Sequence, residues 1–160
     1  MKKIIFALLL AAVSLGASAQ FEKGTKYVGA SLSGFGLSYS KIPGFCLDLQ
    51  AQGGYFIEDG WMLGGLFGWE HQPGYNNFDM GVGARYYLRK NGLFFGCDFK
   101  YKHVGPDVKS DNIYLSPQVG YCFYLNDHVS IEPAVFCDMC LNHFKDYTKI
   151  GLKIGFGYYF

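Results

Sequence analysis

Ionisable side chains recur at alternate positions of several segments, on the same parity as glycine and small polar residues. The set comprises Asp48, Asp79, Arg85, Asp98, Lys100, Lys102, Glu132, Asp138 and Lys153. Such groups could conduct ions along a continuous water-filled path, or they could pair and fill a narrow interior. Unpaired buried charge is very costly, which favours the paired structural network. We expect Arg85 and Glu132 to lie at similar depth, with Lys100 and Asp79 nearby on adjacent strands.

Histidines offer a second candidate chemistry. His71, His103 and His143 all fall in predicted long loops on one side of the fold. Three converging imidazoles could bind a transition metal or support acyl transfer. No motif supports either reading, and His128 falls in a short turn on the opposite side. We therefore expect solvated loop histidines, no metal and no cofactor.

The cysteines are odd in number, so at least one thiol stays free in a monomer. Cys97 and Cys137 share the apolar parity, whereas Cys46, Cys122 and Cys140 share the polar one. Cys137 and Cys140 have CxxC spacing, but on a strand their sulfurs face opposite sides, which disfavours zinc or redox chemistry. The sequence holds no G-x-S-x-G, P-loop or H-E-x-x-H motif. We expect small apolar filler residues and no enzymatic activity.

The N-terminus has the features of a targeting segment. Lys2 and Lys3 precede an unbroken apolar run, Ile4 to Val13, and Ala17 to Ala19 fits the small-x-small cleavage rule. The run is too short to span a membrane. The sequence predicts a signal peptide over residues 1–19, cleaved after Ala19, and a single domain over 20–160. The net charge of +1 gives no indication of a nucleic-acid partner.

The remaining chain alternates apolar and polar residues with the period of β-strands. The clearest case is the last segment, whose apolar parity is Ile150, Leu152, Ile154, Phe156, Tyr158 and Phe160. Eight such segments are predicted, joined alternately by short turns and longer loops. A parity slip predicts a bulge near Gly34 or Gly36. Pro117 and Pro133 fall mid-strand, and predict a local gap or bulge between the sixth and seventh strands.

The two parities differ in bulk, and this difference predicts which face points inward. The interior of an eight-stranded barrel is just wide enough for side chains. Glycines and short residues fit there, namely Gly29, Gly81, Gly83, Gly96, Gly120, Gly155 and Gly157, but the aromatic-rich apolar parity does not. The apolar parity must then face hydrocarbon. Aromatic residues near strand ends are expected in the membrane interfaces: Tyr27, Tyr55, Trp61, Trp69, Tyr86, Tyr101, Tyr121 and Tyr158. The predicted fold is an all-β, eight-stranded antiparallel up-and-down transmembrane barrel.

The chain ends in Gly-Phe-Gly-Tyr-Tyr-Phe, with Ile154, Phe156, Tyr158 and Phe160 at alternate positions. This ending is similar to the C-terminal assembly signal of bacterial outer-membrane proteins. The chain as a whole resembles the small, porin-like outer-membrane β-barrel family of OmpA/OmpX-type size. The resemblance implies export through the periplasm and insertion by the barrel-assembly machinery. It also implies contact with outer-membrane lipid and lipopolysaccharide.

Three functions remain open at this stage. The first is a structural and interaction role, in which a monomeric barrel anchors short extracellular loops in the membrane. Their contact surface would be Glu70 to Asn77, His103 to Asp111 and Asn142 to Lys149. The second is a minor channel for small solutes, and the third is a lipid-modifying enzyme.

Overall fold

The computed structural model describes residues 21–33, 47–72, 75–89, 91–104, 111–142 and 148–160. They form nine β-segments: β1 (Lys26–Ser33), β2 (Leu47–Glu58), β3 (Trp61–Gln72), β4 (Tyr75–Tyr87), β5 (Leu93–Val104), β6 (Asp111–Tyr121), β7 (Phe123–Tyr124), β8 (Val129–Cys140) and β9 (Lys149–Tyr159). Among these residues we find no helix with the length and apolar character that crossing a membrane requires. The predicted signal peptide, the predicted bulge near Gly34 or Gly36, Cys46 and His143 lie outside the described residues.

Every pair of neighbouring segments is antiparallel, and the sheet closes on itself. β1 pairs with both β2 and β9, and β8 pairs with β9, β6 and β7. β7 continues β6 in the same register beyond Cys122, so the nine segments occupy eight strand positions. The predicted all-β, eight-stranded antiparallel barrel is confirmed.

The seam between β8 and the β6–β7 strand has two interruptions. The ladder passes from Leu115–Met139 directly to Gln118–Phe136, and so omits the position of Pro117. It stops again after Gly120–Ala134 and resumes at Phe123–Ile131, which omits the position opposite Pro133. Proline has no N–H to donate to a ladder, so the prolines account for the gaps. The predicted local gap between these strands is confirmed.

The short turns lie at the end of the barrel where β1 begins and β9 ends. Gly60 and Gly92 have φ of 79° and 71°, a conformation that favours glycine in tight turns. A Cβ atom on Gly60 would lie 2.7 Å from the carbonyl oxygen of Tyr87, so this turn has no room for a side chain.

Burial alternates along the strands as the sequence predicts. Met80 and Val82 are 60% and 64% exposed on the outer face, while Asp79 and Arg85 are buried inside. β3 also carries large apolar groups inward: Met62 and Leu66 are both buried. The barrel is thus apolar outside along its full circumference and mixed within.

The placement of Tyr27 in the aromatic belt was wrong. Its side chain is buried in the lumen, and its hydroxyl donates a hydrogen bond to Glu132 Oε2 at 3.1 Å. The reason is parity, because Tyr27 lies on the same side of β1 as Gly29, opposite to the exposed Val28. The other predicted belt residues are exposed or half-buried on the outer face.

An aromatic cluster seals the short-turn end of the lumen. It contains Phe21, Phe56, Tyr87, Tyr124 and Tyr159. Phe21 belongs to no strand, yet its ring is fully buried and stacks on Tyr87 with centroids 4.5 Å apart. The backbone N–H of Gly60 donates to the Phe21 carbonyl at 2.7 Å, which fixes the segment across the opening. The segment before β1 therefore closes the short-turn end of the lumen.

Replacing Phe21 with a smaller residue should destabilise the barrel. We expect Phe21→Ala to lower the free energy of unfolding by about 3–5 kcal/mol, because it removes a fully buried ring from a packed cluster. Urea unfolding of the lipid-refolded protein, followed by heat-dependent gel mobility, measures this. The control Glu22→Ala alters the exposed neighbouring side chain and should change little. Equal stability of the two variants would contradict the packing role.

Candidate functional site

The ion pair of Arg85 and Glu132 crosses the lumen. Arg85 lies on β4 and Glu132 on β8, which are not neighbours in the barrel. Their side chains meet at 3.1 Å between Nη1 and Oε2, and both are almost completely buried. Arg85 also donates to the Tyr87 hydroxyl at 3.3 Å and to Gln52 Oε1. Charge and hydrogen bonds together compensate for burying this pair.

Glu132 is the centre of the lower lumen network. Besides Arg85, it accepts hydrogen bonds from the hydroxyls of Tyr159 at 2.8 Å, Ser130 at 2.9 Å and Tyr27 at 3.1 Å. The hydroxyl groups of these tyrosines thus point from the short-turn end of the lumen towards Glu132. Glycine makes this density possible: a Cβ on Gly157 would lie 2.7 Å from Glu132 Oε1.

A second layer of charge lies closer to the long loops. Lys100 Nζ contacts Asp138 Oδ1 at 3.1 Å, and the Ser116 hydroxyl donates to the same oxygen. Gln118 Nε2 donates to Asp98 Oδ2 at 2.8 Å. The partner of Lys100 is thus Asp138, from across the seam, although Asp79 lies on the neighbouring strand as expected.

Glu70 organises the third layer. Lys149 Nζ contacts Glu70 Oε1 at 3.2 Å, and Lys102 Nζ forms an ion pair with Oε2. Asn77 Nδ2 donates to Oε2 at 3.3 Å. Sequence reasoning assigned Glu70, Asn77 and Lys149 to loops. That assignment was wrong, because the strands extend further than the apolar alternation does.

The same extension shortens the predicted contact surface. β3 runs to Gln72 and β4 begins at Tyr75, while β5 runs to Val104 and β6 begins at Asp111. A signal existed in the polar parity: Glu70 continues the series of Gly68 and Leu66, and Lys149 continues that of Gly151 and Lys153. Inward polar residues carry the alternation beyond the last outward apolar one.

At the level of Arg85 the lumen is filled. The cavity between Gln52, Arg85, Glu132 and Lys153 has a volume of about 10 Å³. A single water molecule needs roughly 10–15 Å³ by this measure. Among the described residues, the ion pair and the aromatic cluster below it therefore leave at most the space of about one water molecule at this depth.

The histidines and cysteines among the described residues do not converge on one site. His71 and His103 are exposed at the ends of β3 and β5, and His128 Nδ1 lies 2.9 Å from the Tyr159 carbonyl oxygen at the opposite end. Within the described ranges no group of three His, Cys, Asp or Glu side chains is placed to hold a metal ion. Four described cysteines are free thiols: Cys122 and Cys140 in the lumen, and Cys97 and Cys137 on the outer face.

Solved structures of other proteins have the same barrel architecture. The N-terminal β-barrel domain of Pseudomonas aeruginosa OprF matches with a TM-score of 0.68 over 86% of this chain and 98% of that one, at 13% identity. Neisserial surface protein A matches with a TM-score of 0.60 over 85% of this chain and 96% of that one, at 14% identity. The chain has the fold of the small eight-stranded outer-membrane β-barrels.

The likeness is one of fold. A de novo designed transmembrane β-barrel also matches, with a TM-score of 0.56 and 14% identity over 87% of this chain and 98% of that one. No protein-family model and no curated protein matches the sequence. A scaffold shared with a designed barrel carries no function by itself, so function has to be argued from the site.

Breaking the central ion pair should be strongly destabilising. We expect Arg85→Met to lower the free energy of unfolding by about 3–5 kcal/mol, because it leaves the Glu132 carboxylate buried without its cation. The double variant Arg85→Met/Glu132→Gln should lose less than Arg85→Met alone. Urea unfolding in lipid, analysed as a double-mutant cycle, measures the coupling.

A surface pair provides the control for this cycle. Lys23 and Glu58 also lie 3.1 Å apart, but their side chains are 64% and 68% exposed. Lys23→Met should change stability by less than about 1 kcal/mol. Additive effects of the Arg85 and Glu132 substitutions would show that the pair is not energetically coupled.

Proposed function

We propose that this chain is an exported protein of the bacterial outer membrane with a structural and interaction role. Its closed barrel anchors the long loops, which lie at the end opposite the short turns, at the outer surface of the membrane. The observation that carries the proposal is an apolar outer belt around a charge-paired, filled lumen. The belt supplies the anchor, and the filled lumen argues against a transport role.

The outer belt supports membrane insertion. Large apolar side chains are exposed on every long strand of the barrel, among them Tyr55, Phe67, Val82, Phe99, Val119, Val135 and Ile154. Soluble monomers rarely expose continuous apolar patches beyond a few hundred Å². A closed barrel satisfies its backbone hydrogen bonds internally, so the strands tolerate hydrocarbon.

Aromatic residues at the strand ends support the same orientation. Trp61 and Tyr86 lie side by side near the short turns, with ring centroids 4.9 Å apart, and both are exposed. Tyr101 is exposed near the opposite end. Amphipathic rings at these two levels fit the two membrane interfaces.

The C-terminal strand supports the proposed biogenesis. Ile154, Phe156 and Tyr158 face outward on β9, Phe160 directly follows the strand, and the four side chains have exposed fractions between 43% and 57%. We propose that this row is the signal read by the barrel-assembly machinery after cleavage behind Ala19. The mature barrel would then contact outer-membrane lipid and lipopolysaccharide as a monomer, with no cofactor and no nucleic-acid partner.

Conductance separates an anchor from a channel. We expect the wild-type protein, refolded into planar bilayers, to show no stable single-channel conductance, because the lumen is filled at Arg85. A variant that replaces two buried lumen residues with alanine, Phe21→Ala/Arg85→Ala, serves as the comparison and should show openings. Stable wild-type conductance would favour the solute-channel function over the closed anchor.

Depth dependence tests the membrane assignment itself. We expect Val82→Arg to make folding into lipid less favourable by about 2–4 kcal/mol, because it places a cation in the middle of the outer belt. Leu125→Arg is the matched control, since Leu125 is 62% exposed but lies near the short turns. Its effect should be below about 1 kcal/mol. Equal effects at both positions, or a wild-type barrel that is soluble and monomeric without detergent, would contradict insertion.

A further inference from the structure

A groove crosses the outer face of the barrel from β1 to β4. Its walls include Val28, Phe67 and Met80, and its floor lies at Gly53 and Gly65, which occupy paired positions of β2 and β3. The groove has a volume of about 630 Å³, within the range of about 300–1,000 Å³ that is usual for small-molecule sites. The three wall residues are each more than half exposed, so the groove opens directly into the outer belt.

The two glycines on the floor leave space that no side chain of the barrel occupies. A Cβ atom on Gly53 would have no neighbouring atom within 4 Å. A Cβ atom on Gly65 would lie 3.8 Å from the carbonyl oxygen of Gly81, which is an ordinary contact. An empty groove would forfeit the dispersion contacts of its lining, so a molecule from outside the barrel stabilises it by filling it.

A lysine and a tyrosine lie at the short-turn edge of this groove. Lys26 and Tyr55 are paired across β1 and β2, and both side chains are exposed. Each lies two residues from a groove residue on the same face of its strand, namely Val28 and Gly53. The Lys26 Nζ atom lies 5.9 Å from the centroid of the Phe160 ring, and Lys26 forms no ion pair with another described residue. A cation and a phenol hydroxyl therefore lie where the groove reaches the membrane interface.

These features together specify the chemistry of the occupant. Short turns lie on the periplasmic side in outer-membrane barrels, so Lys26 and Tyr55 lie at the level of the headgroups of the periplasmic leaflet. Lysine at a membrane surface attracts anionic headgroups, while the apolar walls continue into the hydrocarbon. A second copy of the chain fits less well, because a two-fold contact here would bring Lys26 of both copies to one interface at the same depth.

We propose that the groove binds one phospholipid of the periplasmic leaflet. One acyl chain lies along Gly53 and Gly65, and the phosphate contacts the Lys26 ammonium and the Tyr55 hydroxyl. The inference rests on the membrane insertion proposed above, and it adds a defined lipid site to a belt that otherwise contacts lipid without selection.

Native mass spectrometry of the folded barrel tests the groove. Wild type, refolded into vesicles of phosphatidylethanolamine and phosphatidylglycerol and then extracted with detergent, should retain one phospholipid. Gly53→Leu/Gly65→Leu should lose this lipid and keep the folded gel mobility, because the added side chains fill the groove without an internal clash. The control Ala84→Leu/Cys137→Leu adds bulk to the outer face outside the groove and should retain the lipid.

A pair of lysine variants tests the phosphate contact independently of the groove. Lys26→Gln should retain clearly less phospholipid than wild type. Lys23→Gln should match wild type, because Lys23 is an exposed lysine at the same end of the barrel whose ammonium pairs with Glu58. If Gly53→Leu/Gly65→Leu fails to fold, this pair decides alone.

The outcomes separate this inference from the proposed function. A folded wild type without a retained lipid would overturn the lipid site alone, as would unchanged retention in Lys26→Gln or in the folded groove variant. Retention of lipid A instead of phospholipid from mixed vesicles would overturn it, and so would a dimer that Gly53→Leu/Gly65→Leu dissociates. Failure of wild type to fold into the vesicles would contradict membrane insertion itself, and the lipid site with it.

Discussion

The narrow interior of an eight-stranded barrel is the constraint on which the other features of this molecule depend. Eight strands enclose a space that side chains can just fill, so large inward side chains must be packed against small ones or must pair with partners across the lumen. Gly96 illustrates the limit: a Cβ there would lie 2.9 Å from Gln118 Cγ and 3.0 Å from Arg85 Cγ. Bulk excluded from the interior has to lie outside, and the outer belt is the result.

The same constraint explains the ion network. Charges confined to a space without bulk water need partners, and the lumen provides them for Arg85, Lys100 and Lys149 in layers centred on Glu132, Asp138 and Glu70. The partners come from strands that are distant in sequence, such as β4 and β8, so the network ties opposite walls of the barrel together. It serves as filling and as a closure at once, which is why we propose a structural role for the same residues that could have conducted ions.

Parity along the strands was enough to predict the fold class, the lumen-facing charges and the outward faces of Val82 and Phe156. The partners that side chains contact across the lumen were harder to predict from the sequence. The pairing of Lys100 with Asp138 depends on the register across the interrupted β6–β8 seam, which no local pattern encodes. The burial of Phe21 was not predicted, because a single residue outside any strand has no periodic pattern. Glu70 and Lys149 were assigned to loops because polar strand ends and polar loops look alike in composition.

The central claim is that the apolar parity faces hydrocarbon while the charged parity faces a closed lumen. Fluorescence quenching by lipids brominated in their acyl chains tests it most directly. A single tryptophan is introduced by Val82→Trp in a Trp61→Phe/Trp69→Phe background and refolded into such bilayers. The account predicts strong quenching by the brominated lipids and little by aqueous acrylamide. The reverse pattern would contradict it, because position 82, on the outer face of the barrel, would then lie in water and not in hydrocarbon.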